Sequence, residues 1–342
     1  MHEYLGIFML PWVILIIFTF SLIVKSRLVF ALSSLFLFFF SAIRYDVGFD
    51  YATYWNMISN GSFEHYSSEI ANYTLFTLSY LLDTPEIYFI ITSFFIIFLF
   101  TIGIVKLSKD WCFSLLIFIS IPIFYLNSLS IVRQFCAVSL IFYGFKCILN
   151  KQYVFFILIV LAASLFHPTA IVSLVCLLFV SKNFSNKFYF LFFFLVLALK
   201  QFFLYGLEVY FNYYYKYYIQ NEVVGGGNAI AFLLLGIWFF CLVFRRNVKS
   251  EPCFEFLINT FTFGVILFLI LIQYGHASRI SLYFLTALIP LLPYYIEIFN
   301  PRKIARVVGF LVLFPLLIYS LYLGTLNPIK DPNIPYLFIF NR

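Results

Sequence analysis

The chain has 342 residues, of which 64% are hydrophobic, 23% aromatic and only 10% charged, with a mean hydropathy of +1.03. That composition excludes a soluble globular domain, and the length of the apolar runs excludes the alternating ten-residue pattern of an outer-membrane barrel. The net charge of +7 is therefore read through its distribution along membrane loops, and no nucleic-acid partner is expected.

Apolar runs between short polar breaks predict an all-α fold, a polytopic transmembrane helical bundle of about 10 to 12 spans. It forms a single integral membrane domain over residues 1–342. In chain order the spans fall near 5–24, 28–43, 86–106, 111–126, 131–149, 153–166, 168–181, 188–204, 228–244, 254–274, 280–298 and 304–324. The first run lacks a basic stretch before it and a small-residue cleavage site after it, so it reads as a retained helix. The amphiphilic stretch Tyr73 to Leu82 is too short to cross and is expected to form a re-entrant or interfacial helix. The six cysteines lie in or beside apolar runs without metal-like spacing, which assigns them to helix packing.

With the amino terminus outside, 14 of the 21 basic residues fall in cytoplasmic connections, among them Lys106, Lys109, Arg245, Arg246, Arg302 and Arg306. The positive-inside rule favours this orientation. It leaves two longer outer-face loops, about 44–72 and 205–228, and a tail after Thr325 as the places with room for function. The short cytoplasmic connections contain neither a Walker lysine motif nor G-x-G-x-x-G, so nucleotide chemistry is not expected.

On that topology the unusual polar residues collect at one face. Arg44, Asp46 and Asp50 follow the second span, Arg133 and Gln134 open the fifth, His167 precedes Pro168 at an outer turn, and His276 and Arg279 lie at another. Snorkelling to lipid headgroups is the plain reading of any one arginine. Three on the side where basic residues are scarce suit a pyrophosphate group, whose oxygens guanidinium forks bind in bidentate fashion. Asp46 and Asp50 are four apart and can pair with Arg44, bind a cation or accept a proton from a sugar hydroxyl. His167 is open between a general base, a glycan-binding group and a polar helix end. The tyrosine-rich segment Tyr210 to Asn228 reads as an aromatic belt or as a sugar-stacking platform hinged at Gly225 to Gly227.

Four stretches carry a family resemblance: "RYDVGFDYATY" (Arg44 to Tyr54), "SIVRQFCAVSLI" (Ser130 to Ile141), "FHPTAIV" (Phe166 to Val172) and "ASRISLYF" (Ala277 to Phe284). In that order the chain resembles the EpsG-like branch of the Wzy polysaccharide polymerases, over roughly residues 40 to 290. The resemblance implies a GT-C-like glycosyltransferase of the inner (plasma) membrane, with its active site facing the periplasm or outside. Such enzymes transfer a growing O-antigen, capsular or exopolysaccharide glycan from undecaprenyl pyrophosphate to a lipid-linked repeat unit. It implies undecaprenyl-pyrophosphate-linked oligosaccharides, membrane lipids and a chain-length regulator protein as partners, and no cofactor, metal or nucleotide sugar. Carried onto this chain, Arg44, Arg133 and Arg279 would hold pyrophosphates, Asp46 or Asp50 would be the acceptor-side base, and His167 would bind glycan or serve as the alternative base. Gln134, His276 and the motif tyrosines Tyr51, Tyr54 and Tyr283 would line the substrate. An O-antigen ligase is the nearest alternative, and a flippase or transporter of lipid-linked oligosaccharide is the alternative from another class.

Overall fold

The computed structural model describes residues 27–180, 182–202, 204–205, 227–326 and 336–341, together with Pro11. The expected first span and nearly all of the 205–228 loop, including the tyrosine-rich platform, lie outside these residues. The fold is all-α and multi-pass: among the described residues six helices are long and apolar enough to cross a membrane, and shorter apolar helices accompany them. The chain divides into two compact units, one formed by residues 1–171 with 299–342 and the other by residues 172–298.

In the first unit the elements follow the apolar runs. They are α1 (Arg27–Ala42), β1 (Arg44–Tyr45), α2 (Tyr51–Asn60), α3 (Ile70–Leu81), α4 (Glu86–Leu107), α5 (Trp111–Ser120), α6 (Tyr125–Ser130), α7 (Val132–Leu149) and α8 (Tyr153–Ser164). After residue 298 the unit resumes with α15 (Arg302–Leu326) and β2 (Leu337–Phe338). The expected span 111–126 is interrupted: α5 stops at Ser120 because Pro122 holds Ile121 in extended backbone (φ −88, ψ 114), and α6 begins a separate short helix. The amphiphilic stretch forms α3, as its pattern predicts. Arg27 lies over Trp111, Lys106 donates to Tyr143 Oη at 3.2 Å, and Arg306 pairs with Asp110.

One feature departs from an all-helical reading. The tail after Thr325 returns as β2, antiparallel to β1, with Arg44 opposite Phe338 and Tyr45 opposite Leu337. A two-residue strand has too little length to show an alternating pattern in sequence.

In the second unit α9 (Asn186–Ala198), α10 (Gly227–Phe244), α11 (Pro252–Leu271), α12 (Gly275–Ser278), α13 (Leu282–Leu285) and α14 (Leu288–Ile296) account for the expected spans. The expected span 168–181 is instead a 3-10 helix, Pro168–Phe179, wound more tightly than an α-helix of the same sequence pattern. A buried polar cluster ties two connections of this unit to α11. Arg245 pairs with Glu255 and donates to Asn183 Oδ1 at 2.8 Å and to the Phe184 carbonyl, while Ser250 donates to Glu255 at 2.7 Å. Beside it, Asn259 accepts from Tyr189 Oη at 2.5 Å and donates to the Lys182 carbonyl at 2.9 Å.

Candidate functional site

Arg44 is 1% exposed, and no carboxylate reaches its guanidinium among the described residues. The end of α1 explains how the charge is held. A helix leaves its last carbonyls unpaired and concentrates partial negative charge there, a favourable setting for a cation. Arg44 Nη1 donates to the Ser41 carbonyl at 2.5 Å and to the hydroxyls of Ser41 and Ser93 at 3.1 Å, and Nε donates to the Val47 carbonyl at 3.3 Å. The guanidinium carbon lies 5.2 Å from the Phe89 ring centre and 5.9 Å from that of Tyr51. Burial lowers the proton affinity of Arg44 from the ordinary arginine value, and these oxygens and ring faces oppose that loss. The expected pairing of Asp46 or Asp50 with Arg44 is not formed.

The turn after Arg44 is shaped by Gly48. Its φ is +105°, and a Cβ there would lie 2.0 Å from the Leu129 carbonyl oxygen, so the turn seats directly on backbone just ahead of α7. This contact brings the first and second sequence motifs together. Asp46 sits in the left-handed region at φ 51 with an exposed side chain. Asp50 is half-buried at the start of α2, one helical turn before Tyr54.

Arg133 lies in the first turn of α7, at the positive end of the helix, where a cation is disfavoured. It is balanced accordingly. Nη1 pairs with Glu69 Oε2 at 2.6 Å, Nε donates to Tyr54 Oη at 2.7 Å, and the guanidinium lies 4.3 Å from the Tyr66 ring centre. Arginine has no acceptor, so the Tyr54 oxygen must accept from Arg133 and its own proton goes to Asp50 Oδ2 at 2.8 Å. Burial first, and the charge of Asp50 second, push the Tyr54 phenol well above its ordinary value, which keeps that proton in place. Asn72 Nδ2 donates to Glu69 at 3.0 Å and to the Phe166 carbonyl at 2.6 Å, linking the network to the third motif.

The site is thus an ordered chain, Arg133 to Tyr54 to Asp50, braced by Glu69 and Asn72. It holds two carboxylates against one guanidinium. A half-buried carboxylate oriented by a neutral phenol is suited to taking a proton from a hydroxyl. The 20% exposed Arg133 side chain retains Nη2, which has no hydrogen bond among the described residues and can donate to an anion.

The other expected residues are placed as follows. Tyr51 stacks on Phe89 at 4.1 Å and its buried hydroxyl has no hydrogen-bond partner among the described residues. Gln134 is buried beside Arg133 in α7. His167 Nδ1 lies 2.6 Å from Thr169 Oγ1 at the turn whose Phe166 carbonyl Asn72 holds. Arg279 and Tyr283 belong to the second unit, Arg279 half-buried and Tyr283 fully buried, and the side chain of His276 lies outside the described residues. Glu69, Asn72 and Tyr66 are functional candidates that sequence reasoning missed. Their only signal is a cluster of polar groups at the start of an amphiphilic helix.

No curated protein and no solved structure matches the chain. The model of the EpsG family matches residues 27–338, from the first residue of α1 into β2, and covers all four motifs. That match spans most of the sequence, and the chain belongs to the EpsG family.

Proposed function

We propose that this membrane protein is a polysaccharide polymerase that transfers a growing glycan from undecaprenyl pyrophosphate to the terminal sugar of a lipid-linked repeat unit, at the outer face of the inner membrane. Membership of the EpsG family supports a membrane polysaccharide polymerase-like role. The observation that carries the finer reading is the oriented carboxylate: Asp50 accepts from Tyr54, and Tyr54 is fixed by Arg133.

In this mechanism an acceptor hydroxyl oxygen attacks the anomeric carbon of the donor glycan and forms the new glycosidic bond. The anomeric bond to the pyrophosphate oxygen breaks, and its electron pair leaves with undecaprenyl pyrophosphate. The hydroxyl proton passes to Asp50. Tyr54 holds the carboxylate in register, and Arg133 Nη2 is the N–H available to a departing phosphate oxygen. The donor arrives already activated, so positioning and removal of one proton are the main demands on the protein.

Purified protein in liposomes, given a lipid-linked repeat unit, lipid A as a competing acceptor and no ion gradient, tests the reading. Chains of increasing length on a gel support it. Transfer of a glycan only to lipid A identifies a ligase instead, and transbilayer movement without bond formation identifies a transporter.

A further inference from the structure

The end of α1 is completed by residues from the far end of the sequence. The Phe39 carbonyl is met by Ile43 N at 3.0 Å and the Ser41 carbonyl by Arg44. The Phe40 carbonyl instead accepts from Tyr336 Oη at 2.6 Å, and the Ile43 carbonyl from Ile339 N at 2.9 Å. The Tyr336 ring is 2% exposed and stacks on Phe40 with centres 4.2 Å apart, and Phe338 packs edge-on against Phe40 at 6.0 Å. Two carbonyls of this terminus, the backbone of β1 and the ring of Phe40 thus all depend on the 336–341 segment.

We infer that the 336–341 segment is a clasp that positions the catalytic turn: Tyr336 and β2 lock the end of α1 and β1, Arg44 ties that end to Val47, and the Val47–Gly48 turn sets where Asp50 stands. This rests on the polymerase reading for its activity measurement. Tyr336 acts through the carbonyl and ring of Phe40 and is a positioning residue. Mechanically the clasp is weak, because two paired residues per strand are marginal in isolation and the helices of the unit do not need them to form. Losing it frees the turn while leaving the helical scaffold, and small displacements of a reacting group carry large rate penalties.

The test compares the full chain, Tyr336→Phe, and a chain lacking residues 336–342, the last also with a synthetic 330–342 peptide added in trans. Two measurements are made on protein whose circular dichroism matches the full chain. The first is modification of Arg44 by phenylglyoxal, read by mass spectrometry. Expected is protection in the full chain, a rise in reactivity of about tenfold on deletion, and a smaller rise in Tyr336→Phe, which keeps the stacking but loses the hydrogen bond. The second is polymer synthesis from a lipid-linked repeat unit. Expected is a fall in kcat of about tenfold or more on deletion with KM within about twofold, and recovery with the peptide. A deleted chain that keeps Arg44 protected, or that polymerises at the full rate, overturns the clasp. So does a fall in kcat that the peptide does not relieve. If the full chain makes no polymer, the polymerase reading fails, and Arg44 reactivity still decides the clasp.

Discussion

Arg133 donates its Nε–H to the Tyr54 hydroxyl oxygen at 2.7 Å, and this contact fixes the direction of the phenol proton toward Asp50. Without it the hydroxyl could turn away. Tyr54→Phe keeps the ring, which packs against Phe76 and Tyr88, but removes the link in the chain. A fall in kcat of about 10- to 100-fold with near-normal thermal stability is expected, by analogy with the loss of other orienting groups. Wild-type kcat in this variant would remove orientation of Asp50 from the mechanism.

Arg133 and Glu69 make up a largely buried ion pair, and breaking it should cost more than deleting it. Arg133→Ala leaves the Glu69 carboxylate, 9% exposed, without its counter-charge. Destabilisation of about 3–5 kcal/mol is expected, and the double variant with Glu69→Gln should recover most of it. Thermal unfolding in detergent checks both. Activity should remain low in the double variant, which separates the chemical role of Arg133 from its structural one.

Gly48 is required by both backbone and space. Gly48→Ala must strain a φ of +105° and drive a methyl group into the Leu129 carbonyl, so a loss of about 2 kcal/mol or more is expected. The same substitution should lower kcat beyond what its stability predicts, because the turn that presents Asp50 has to move. Kinetics at a temperature where the variant is fully folded make the comparison.

In the second unit Arg245 and Glu255 are both nearly inaccessible and share partners. Arg245→Ala alone should destabilise by about 3–5 kcal/mol, and pairing it with Glu255→Leu should return much of that. A double-mutant cycle by thermal unfolding measures the coupling.

Much of the fold is legible in the sequence because the membrane imposes it. Runs such as Glu86–Leu107 and Pro252–Leu271 announce themselves by length and apolarity alone. The breaks are harder: the end at Ser120 follows from Pro122, whereas nothing in the pattern of residues 168–179 marks the 3-10 helix. At the site, Arg133, Asp50 and Tyr54 stand in the expected stretches and meet in space. The surroundings of Arg44 are not legible, because its partners include the Ser41 carbonyl at a helix end and the Val47 carbonyl in the following turn, and backbone partners carry no side-chain signature. Glu69 is hidden for another reason: one carboxylate in a polar loop looks like its solvated neighbours until the fold brings Arg133 to it. β2 was hidden by its length.

Asp50 is the proposed base, and Asp46, four residues earlier in the same motif and exposed, is its internal control. The decisive measurement is the initial rate of chain extension by purified Asp50→Asn and Asp46→Asn proteins on a lipid-linked repeat unit. Expected is a fall of about 100-fold or more for Asp50→Asn with the KM for repeat unit nearly unchanged, and a rate within about threefold of wild type for Asp46→Asn. Full activity in Asp50→Asn, or loss confined to Asp46→Asn, would contradict it.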